Sequence, residues 1–244
     1  MYTRLHSSEL QIWQFHLGDS DRLEAERLAD LLAEDERERA GQFVFEKDRR
    51  SFVECRAALR ILLHGYLGQR ADDIVFAYSE RGKPRLAGET DLRFNVSHSG
   101  ALALFAFTRG CELGVDVEAV RAMKDMDSIA KRFFCFDEYR QLMLVAAAEK
   151  QAAFFRCWTR KEAYIKATGD GLSAGLDQFQ VTFSASGAAR FIHINHDVDE
   201  AAEWTLQNVV LDSPYVGAVA YRAAAKDVRM MERLSFNDLL TRLD

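Results

Sequence analysis

The sequence predicts an α+β protein built from two similar, tightly packed lobes. Each half of the chain begins with helical patterns and continues with strand-like ones, and the halves change over near Gly114. Only two prolines occur, and no linker-like stretch separates the halves. The composition, 48% hydrophobic and 29% charged over 244 residues, is that of a globular protein long enough for one large core or two smaller ones.

Apolar residues at helical spacing, together with capping residues, predict the helices. The predicted ranges are Ser20–Ala33, Glu46–Leu67, Asp127–Phe134, Asp137–Ala148 and Gln151–Thr168, with a last helix capped by Ser235. Glycines mark the ends of the two longest helices, at Gly65 and Gly68 and at Gly169 and Gly171.

Short apolar or alternating runs predict the strands. Their ranges are Ile74–Ala77, Leu92–Val96, Ala101–Thr108, Leu113–Val117, Phe179–Phe183, Arg190–Ile194, Trp204–Leu211 and Val216–Arg222. Gly82-Lys83-Pro84 is a predicted turn. A second turn at Cys111 predicts that Ala101–Thr108 and Leu113–Val117 pair as a hairpin.

Charge and composition narrow the class of protein. A net charge of −6 without a continuous basic stripe argues against a nucleic-acid partner. No apolar run is long enough to span a membrane, and the N-terminus lacks a signal-peptide pattern, so we expect a cytoplasmic protein with no membrane partner. The cysteines are scattered, which predicts packing residues and neither a zinc site nor a disulfide framework: Cys55, Cys111, Cys135 and Cys157.

Two carboxylates alternate with two valines where the halves meet. In Gly114-Val115-Asp116-Val117-Glu118, strand alternation places both acids on one face and both valines on the other. Paired carboxylates repel each other unless a cation lies between them, and oxygen ligands on a rigid strand suit Mg²⁺. By itself, Asp-x-Glu is also the pattern of a solvated strand face.

The last long helix carries three notable side chains on one face. Trp158, Glu162 and Lys166 follow each other at intervals of four residues. Side chains four positions apart are neighbours on a helix. An ion pair beside a core tryptophan is one interpretation of this face, and a binding site is the other.

Two further segments have the chemistry of anion-binding loops. Phe94-Asn95-Val96-Ser97-His98-Ser99-Gly100 ends an apolar strand with amide, hydroxyl and imidazole groups that can hydrogen-bond phosphate. Arg81-Gly82-Lys83-Pro84 is a turn that presents two cations. A Ser/His hydrolase is disfavoured, because the chain has no G-x-S-x-G elbow and adjacent Ser and His seldom form a nucleophile–base pair.

Five motifs, in this order, resemble those of the Sfp-type phosphopantetheinyl transferases. They are Gly-Lys-Pro, Phe-Asn-Val-Ser-His-Ser, Gly-Val-Asp-Val-Glu, Arg-Phe-Phe with Glu138-Tyr139, and Trp-Thr-Arg-Lys-Glu-Ala-Tyr-Ile-Lys, between about Arg37 and Leu172. The resemblance implies a pseudo-twofold, two-lobed monomer in which helices pack on small, mainly antiparallel sheets. It implies an N-terminal lobe, 1-113, that binds coenzyme A, and a C-terminal lobe, 114-244, that holds Mg²⁺. The C-terminal lobe also contains the helix with the Trp-Thr-Arg-Lys-Glu-Ala-Tyr-Ile-Lys motif, which we call the signature helix.

The resemblance also implies a metal site and a reaction. Asp116, Glu118 and Glu162 match the family's metal-binding carboxylates, for Mg²⁺ with Mn²⁺ as the alternative ion. The implied reaction is attack of a carrier-protein serine hydroxyl on the β-phosphorus of coenzyme A, with release of 3′,5′-ADP. Glu162 is the first candidate for the base and Glu138 the second, while Lys166 neutralises charge on the leaving phosphate.

Coenzyme A, the co-substrate, is implied to contact a larger group of mostly basic and polar residues. These are Arg39, Arg56, Arg81, Lys83, Asn95, Ser97, His98, Lys161 and Lys166. Within this group the 3′-phosphate is expected near Arg39, Ser97 and His98. The pyrophosphate is expected near Lys161 and Lys166 of the signature helix. Some relatives carry a lysine where Glu36 stands here, so this chain is expected either to hold that phosphate with fewer cations or to recruit Arg56.

The implied partner is an acidic acyl or peptidyl carrier protein of a fatty-acid, polyketide, non-ribosomal peptide or siderophore pathway. Phe133, Phe134 and Phe136, with Lys131 and Arg132, are candidate contacts for it, and we expect at least two of the phenylalanines to pack in the core instead. Two alternative functions are retained: a coenzyme A-binding relative without transfer activity, and a metal-dependent phosphohydrolase that uses the same carboxylates.

Overall fold

The computed structural model describes residues 4–171, 175–185 and 187–243. Leu172, where the resemblance ends, lies outside these ranges. The helices are α1 (Arg22–Asp30), α2 (Glu34–Gly41), α3 (Glu46–Leu67), α4 (Met126–Phe133), α5 (Phe136–Met143), α6 (Ala147–Thr168), α7 (Val198–Ala202) and α8 (Phe236–Leu240). The strands are β1 (Glu9–His16), β2 (Phe76–Tyr78), β3 (Pro84–Leu86), β4 (Leu92–Ser99), β5 (Leu102–Arg109), β6 (Leu113–Ala119), β7 (Phe179–Val181), β8 (Phe191–Ile194), β9 (Thr205–Val209), β10 (Tyr215–Tyr221) and β11 (Asp227–Met230).

The two halves repeat one topology, which confirms the predicted α+β fold of small, mainly antiparallel sheets. In the first half, β5 pairs antiparallel with β1 on one edge and with β4 on the other. In the second half, β10 pairs in the same way with β6 and β9. Each half also contains a 22-residue helix, α3 or α6, that ends at a glycine with positive φ, Gly68 at 68° and Gly169 at 77°.

Three groups of buried side chains form the core. One lies between α3 and the sheet of the first half, and a second lies between α6 and the strands and helices of the second half. The third joins the two sheets and contains Val115 and Val117, which are buried as strand alternation predicts. Among the described residues, the two sheets are therefore joined by an apolar layer that is separate from the two groups beneath the long helices.

The end of the chain returns to the first half. β11 pairs parallel with β1, and Phe236, Leu239 and Leu240 of α8 are buried in the core of the first half. The division into lobes 1-113 and 114-244 remains a prediction over most of its length. For 227–243 the structure differs from it, because the outer edge of β1 and the core beneath it accept this strand and helix.

The predicted hairpin between Ala101–Thr108 and Leu113–Val117 is wrong. Both strands exist, but both edges of β5 are already occupied by β1 and β4, and β6 pairs with β10 in a different sheet. Each strand therefore satisfies its backbone groups with a partner distant in sequence.

The long helices were predicted well, whereas two eight-residue elements, α2 and β1, were missed. α3 has the predicted bounds, and α8 is capped by Ser235 as expected. α1 is shorter than predicted and is capped by Asp21, because the Ser20 hydroxyl donates to buried Glu54 instead. The sequence did not indicate α2, whose residues are nearly all polar, or β1, which is buried on both faces and so lacks alternation.

No helix within the described ranges combines the length and the apolar character needed to cross a bilayer. The cysteines in these ranges are free thiols. Burial raises the pKa of Cys55 to about 12 and that of Cys135 to about 11, so both thiols stay protonated at neutral pH.

Candidate active site

A glycine lets the signature helix α6 lie directly against strand β6. A Cβ on Gly114 would overlap the backbone oxygen of Ala163 and the backbone nitrogen of Ala167. Only a residue without a side chain permits this approach. The helix face that carries Glu162 and Lys166 is thereby placed over the acidic residues of β6.

The acidic face of β6 points toward that helix. Asp116 is buried, and Glu118 is 21% exposed at the edge of the same face. The Lys166 ammonium lies 2.7 Å from Asp116 Oδ1 and donates to the Ser97 hydroxyl at 2.8 Å. The strand, the helix and the end of β4 therefore meet at one point, where the resemblance implied a metal site.

Burial and neighbouring negative charge destabilise the ionised forms of the Asp116 and Glu162 carboxylates. Burial, the nearby Asp116 and, less strongly, Glu118 raise the pKa of Glu162 to about 7, against the opposing charge of Lys166. Burial also raises the pKa of Asp116, although Lys166 and Ser97 oppose this shift. Asp116 Oδ2 is buried without a hydrogen-bond partner. Three acids around one ammonium leave an excess of negative charge that a cation would relieve.

These residues fit a divalent cation. Carboxylates on two rigid elements, one with an unpartnered buried oxygen, are the oxygen donors that Mg²⁺ prefers. As they stand, no three His, Cys, Asp or Glu side chains in the described ranges surround a point closely enough to coordinate a metal. Binding would therefore require the three carboxylates to draw together around the ion.

A cavity of about 380 Å³ opens above the carboxylates. Trp158 forms one wall of it, stacked on Phe154 with ring centroids 5.9 Å apart, and Lys166 forms another. Val96 and His98 also line this cavity, and both residues continue into a second one of about 660 Å³. The two cavities therefore adjoin at the end of β4.

The second cavity carries the basic groups expected for an anionic ligand. Arg39 and Arg56 line it from α2 and α3, with their guanidinium carbons 5.5 and 5.9 Å from the centroid of the Phe52 ring. Burial, followed by the charge of Lys166, lowers the pKa of His98. At neutral pH the imidazole is therefore uncharged, and Arg39, Arg56 and Lys47 supply the positive charge.

Arg56 shares its charge with a buried acid. Glu36 forms an ion pair with Arg60 at 2.7 Å and another with Arg56 at 3.4 Å. One guanidinium nitrogen of Arg56, Nη1, is nevertheless buried without a hydrogen-bond partner. Arg56 lines the cavity and at the same time pairs with Glu36, so fewer cations at the phosphate and recruitment of Arg56 both stay predictions.

Three residues predicted to hold coenzyme A do not face these cavities. The Lys83 ammonium donates to the carbonyl of Ala167 at 2.7 Å and to Glu112 at 3.1 Å, beside a separate cavity of about 730 Å³. Arg81 donates to the backbone carbonyl of Asp170. Asn95 is buried, and its side-chain oxygen accepts a hydrogen bond from backbone N–H at 2.9 Å. The neighbouring Gly82 and Pro84 line the second cavity instead.

The structure also removes Glu138 and Lys161 from the site. Their side chains are fully buried and form an ion pair of 2.7 Å with each other. Lys161 further donates to the carbonyls of Leu176 and Phe179, and Glu138 accepts from the N–H groups of Cys135 and Val181. The predicted roles of Glu138 as a base and of Lys161 at the pyrophosphate conflict with this arrangement, because every polar atom of the pair is turned inward.

Glu138→Gln is therefore expected to destabilise the protein by about 3–5 kcal/mol, since it leaves the Lys161 charge buried without its partner. Urea unfolding followed by far-UV circular dichroism measures the change. The matched control is Glu26→Gln, which breaks an exposed ion pair with Arg22 and should cost less than about 1 kcal/mol. Wild-type stability of Glu138→Gln would contradict a structural role.

The candidate carrier contacts divide as expected. Phe134 is buried and stacks on Phe154, and Phe133 packs edge-on against Trp158. Phe136 is 72% exposed, and Lys131 and Arg132 are exposed as well. At least two of the three phenylalanines thus pack internally.

Sequence reasoning missed several residues that line the second cavity. On α3 the missed residues are Lys47, Ser51 and Cys55, at spacings of four, and Asp48 and Phe52, which form a second such row with the predicted Arg56. This helical periodicity was a usable signal. It was not used, because the residues are chemically mixed and only their common face connects them.

Comparison with known proteins agrees with this geometry. A model described as 4′-phosphopantetheinyl transferase, N-terminal, matches residues 20–109, and one described as the 4′-phosphopantetheinyl transferase superfamily matches residues 112–220. The 4′-phosphopantetheinyl transferase HetI of Nostoc sp. is 40% identical over 88% of this chain and 89% of its own. The chain belongs to the 4′-phosphopantetheinyl transferase family.

Two further relatives place this family member among the Sfp-type transferases. The 4′-phosphopantetheinyl transferase psf-1 of Bacillus pumilus is 33% identical over 91% of this chain and 92% of its own. The 4′-phosphopantetheinyl transferase Sfp of Bacillus subtilis is 32% identical over 67% of this chain and 72% of its own. The resemblance inferred from the five motifs is confirmed.

Proposed function

We propose that this protein transfers the phosphopantetheine arm of coenzyme A to a serine of an acyl or peptidyl carrier protein and releases 3′,5′-ADP. One observation carries the proposal. Asp116, Glu118, Glu162 and Lys166 converge at the mouth of a cavity that adjoins a second, arginine-lined cavity. A pyrophosphate at the junction would meet the acidic site on one side while its nucleotide occupied the basic cavity.

The second, arginine-lined cavity supports the assignment of coenzyme A to the N-terminal lobe. All of its lining residues fall between positions 39 and 100. Arg39 and Arg56, which both line this cavity, are suited to the 3′-phosphate, and neutral His98 can donate one hydrogen bond to it. The proposal retains these three residues from the sequence prediction, together with Lys166 at the pyrophosphate.

Asp116, Glu118 and Glu162 would hold Mg²⁺, or Mn²⁺ in its place. When bound, such an ion neutralises pyrophosphate oxygens and so favours departure of the nucleotide. Because Lys166 contacts only Oδ1 of Asp116, Oδ2 remains available to a cation. The ammonium then stays within reach of the leaving phosphate.

Glu162 is the best-placed group to take the proton of the attacking serine. Glu162 lies at the acidic site with Lys166 beside it, and a carboxylate has a second oxygen that can accept the serine proton while the first holds the ion. In the transfer, the serine oxygen forms a bond to the β-phosphorus, the bond from that phosphorus to the bridging oxygen breaks, and 3′,5′-ADP leaves with the electron pair. Lys166 stabilises the negative charge that develops on the phosphate of the leaving 3′,5′-ADP.

Mass spectrometry of several apo carrier proteins, incubated with this protein, coenzyme A and Mg²⁺, tests the proposal. The expected product is a carrier heavier by one phosphopantetheine arm, together with 3′,5′-ADP. Release of inorganic phosphate or free phosphopantetheine without a carrier would favour the phosphohydrolase instead. Binding of coenzyme A with no modification of any carrier would favour a relative that has lost transfer.

Metal affinity is expected to depend on pH. Since the pKa of Glu162 is raised to about 7, the group is protonated in acid and must lose its proton when the metal binds. The Mg²⁺ association constant should therefore rise by up to about tenfold per pH unit below pH 7 and level off above it. Isothermal titration calorimetry at several pH values, in buffers of different ionisation enthalpy, measures both affinity and proton release. A flat profile would contradict the assignment of Glu162.

A further inference from the structure

Strands β4 and β6 lie side by side in different sheets, and side chains connect them. Three side-chain oxygens of β4 accept hydrogen bonds from three backbone N–H groups of β6, at 2.9, 3.3 and 3.2 Å. The pairs are Asn95 with Val115, Ser97 with Val117, and Ser99 with Ala119. The constant offset of 20 residues shows that the strands run in the same direction.

These three hydrogen bonds form a seam between β4 and β6, and two of the three side chains have a second function in it. The Ser97 hydroxyl donates to Asp116 Oδ1 at 2.9 Å, and the Ser99 hydroxyl donates to Glu118 Oε2 at 2.7 Å. A hydroxyl has one proton, and a backbone N–H already occupies one of its lone pairs. The backbone bond therefore fixes the hydroxyl so that its proton points at the carboxylate.

The third position shows the same register without an acid. By the spacing that relates each serine to its carboxylate, Asn95 corresponds to Gly114, which has no side chain. Asn95 thus contributes to the seam only through its bond to the backbone of Val115. The two serines match the two acids of the Asp-x-Glu motif one for one.

The seam matters most for Glu118, which has a competing partner. Arg121 lies 3.3 Å from the same oxygen, Oε2, and is 55% exposed. Without the Ser99 bond, Glu118 would be free to follow the arginine into solvent. Ser97 differs, because it also accepts from Lys166 and lines the cavity, whereas the Ser99 hydroxyl hydrogen-bonds, among the described residues, to the acid and to the backbone N–H of Ala119.

We propose that Ser99 is a positioning residue that orients Glu118 toward a divalent cation. The inference rests on the proposed function. Oxygen ligands are commonly held by hydrogen bonds from groups that do not touch the metal. Loss of such a bond typically weakens metal affinity by about 10–100-fold. Ser99 supplies this bond to one oxygen of Glu118 and leaves the other oxygen for the ion.

Mn²⁺ binding, measured by electron paramagnetic resonance of the free ion with coenzyme A present and a protein-free blank, tests the role of Ser99. Ser99→Ala is expected to raise the Mn²⁺ dissociation constant by about tenfold, and Ser99→Thr, which keeps the hydroxyl, to stay within about twofold of wild type. Asn95→Ala is the matched control, because it removes a seam bond that involves no carboxylate. Its Mn²⁺ affinity should not change.

Wild-type Mn²⁺ affinity in Ser99→Ala, or an equal loss in Asn95→Ala, would overturn the inference. If Ser99→Ala does not fold, Ser99→Cys replaces it, since the thiol has a similar volume but is a weaker donor, and a several-fold loss of affinity is then expected. A wild-type protein that modifies carriers, with unaffected Ser99 variants, would refute only this inference. A wild-type protein that neither modifies carriers nor binds Mn²⁺ would refute the proposed function as well.

Discussion

Glu162→Gln is expected to abolish measurable transfer of phosphopantetheine while coenzyme A binding is kept. The amide cannot accept the serine proton, a contribution worth about 10²–10⁴-fold, and it is a poorer ligand for Mg²⁺. The arginine-lined cavity does not include Glu162, so the nucleotide should still bind there. Carrier modification followed by mass spectrometry, together with calorimetry of coenzyme A binding, measures the two effects separately.

Stability distinguishes loss of function from misfolding in this variant. The pKa of Glu162 is raised by burial and by neighbouring carboxylates, so its charged form opposes folding as pH rises from about 4.5 to about 7. Removing that charge should leave the melting temperature of the metal-free protein equal or higher at pH 8. Glu149→Gln, on an exposed part of the same helix, is the matched control and should keep full activity. Full transfer by Glu162→Gln would contradict the assignment.

Gly114→Ala is expected to damage both stability and transfer. The added Cβ would overlap the backbone of Ala163 and Ala167, and backbone cannot rotate away as a side chain can. Helix α6 must therefore move away from β6. Overpacking of this kind costs about 1–3 kcal/mol, and a misplacement of about 1 Å at the site can cost about 10²-fold in rate.

Gly41→Ala is the control for this substitution. Gly41 ends helix α2, has open space around it, and does not have a positive φ. Its replacement should leave both the urea midpoint and the transfer rate close to wild type. If Gly114→Ala behaved like this control, the close approach of helix and strand would not determine the geometry of the site.

The sequence predicted the acidic face of β6 correctly, because strand alternation is a local property. Val115 and Val117 are buried in the core that joins the sheets, and Asp116 and Glu118 face the helix, as a period of two requires. Likewise, Trp158, Glu162 and Lys166 share one face of α6 and line one cavity. Periodicity determines which side chains share a face, whatever lies opposite.

The misassigned residues were those whose neighbours are distant in sequence. Lys161 is adjacent to Glu162, but helical rotation turns its side chain by about 100° into the core, where Glu138 neutralises it. Lys83 occupies a turn that sequence reasoning assigned to coenzyme A, yet its ammonium binds the last turn of α6. In both cases the partner is supplied by another element, and local patterns carry no information about it.

The sequence and the tertiary structure each determined different properties of this protein. The sequence alone determined the family, the long helices and the two acidic motifs, because these depend on residue type, order and period. Only the tertiary structure decided that Gly114 admits α6 to the strand, that Lys166 bonds to Asp116, and that serines of β4 hold the two acids of β6. Those contacts depend on how separate elements pack, and packing is set by the shape and burial of the whole chain.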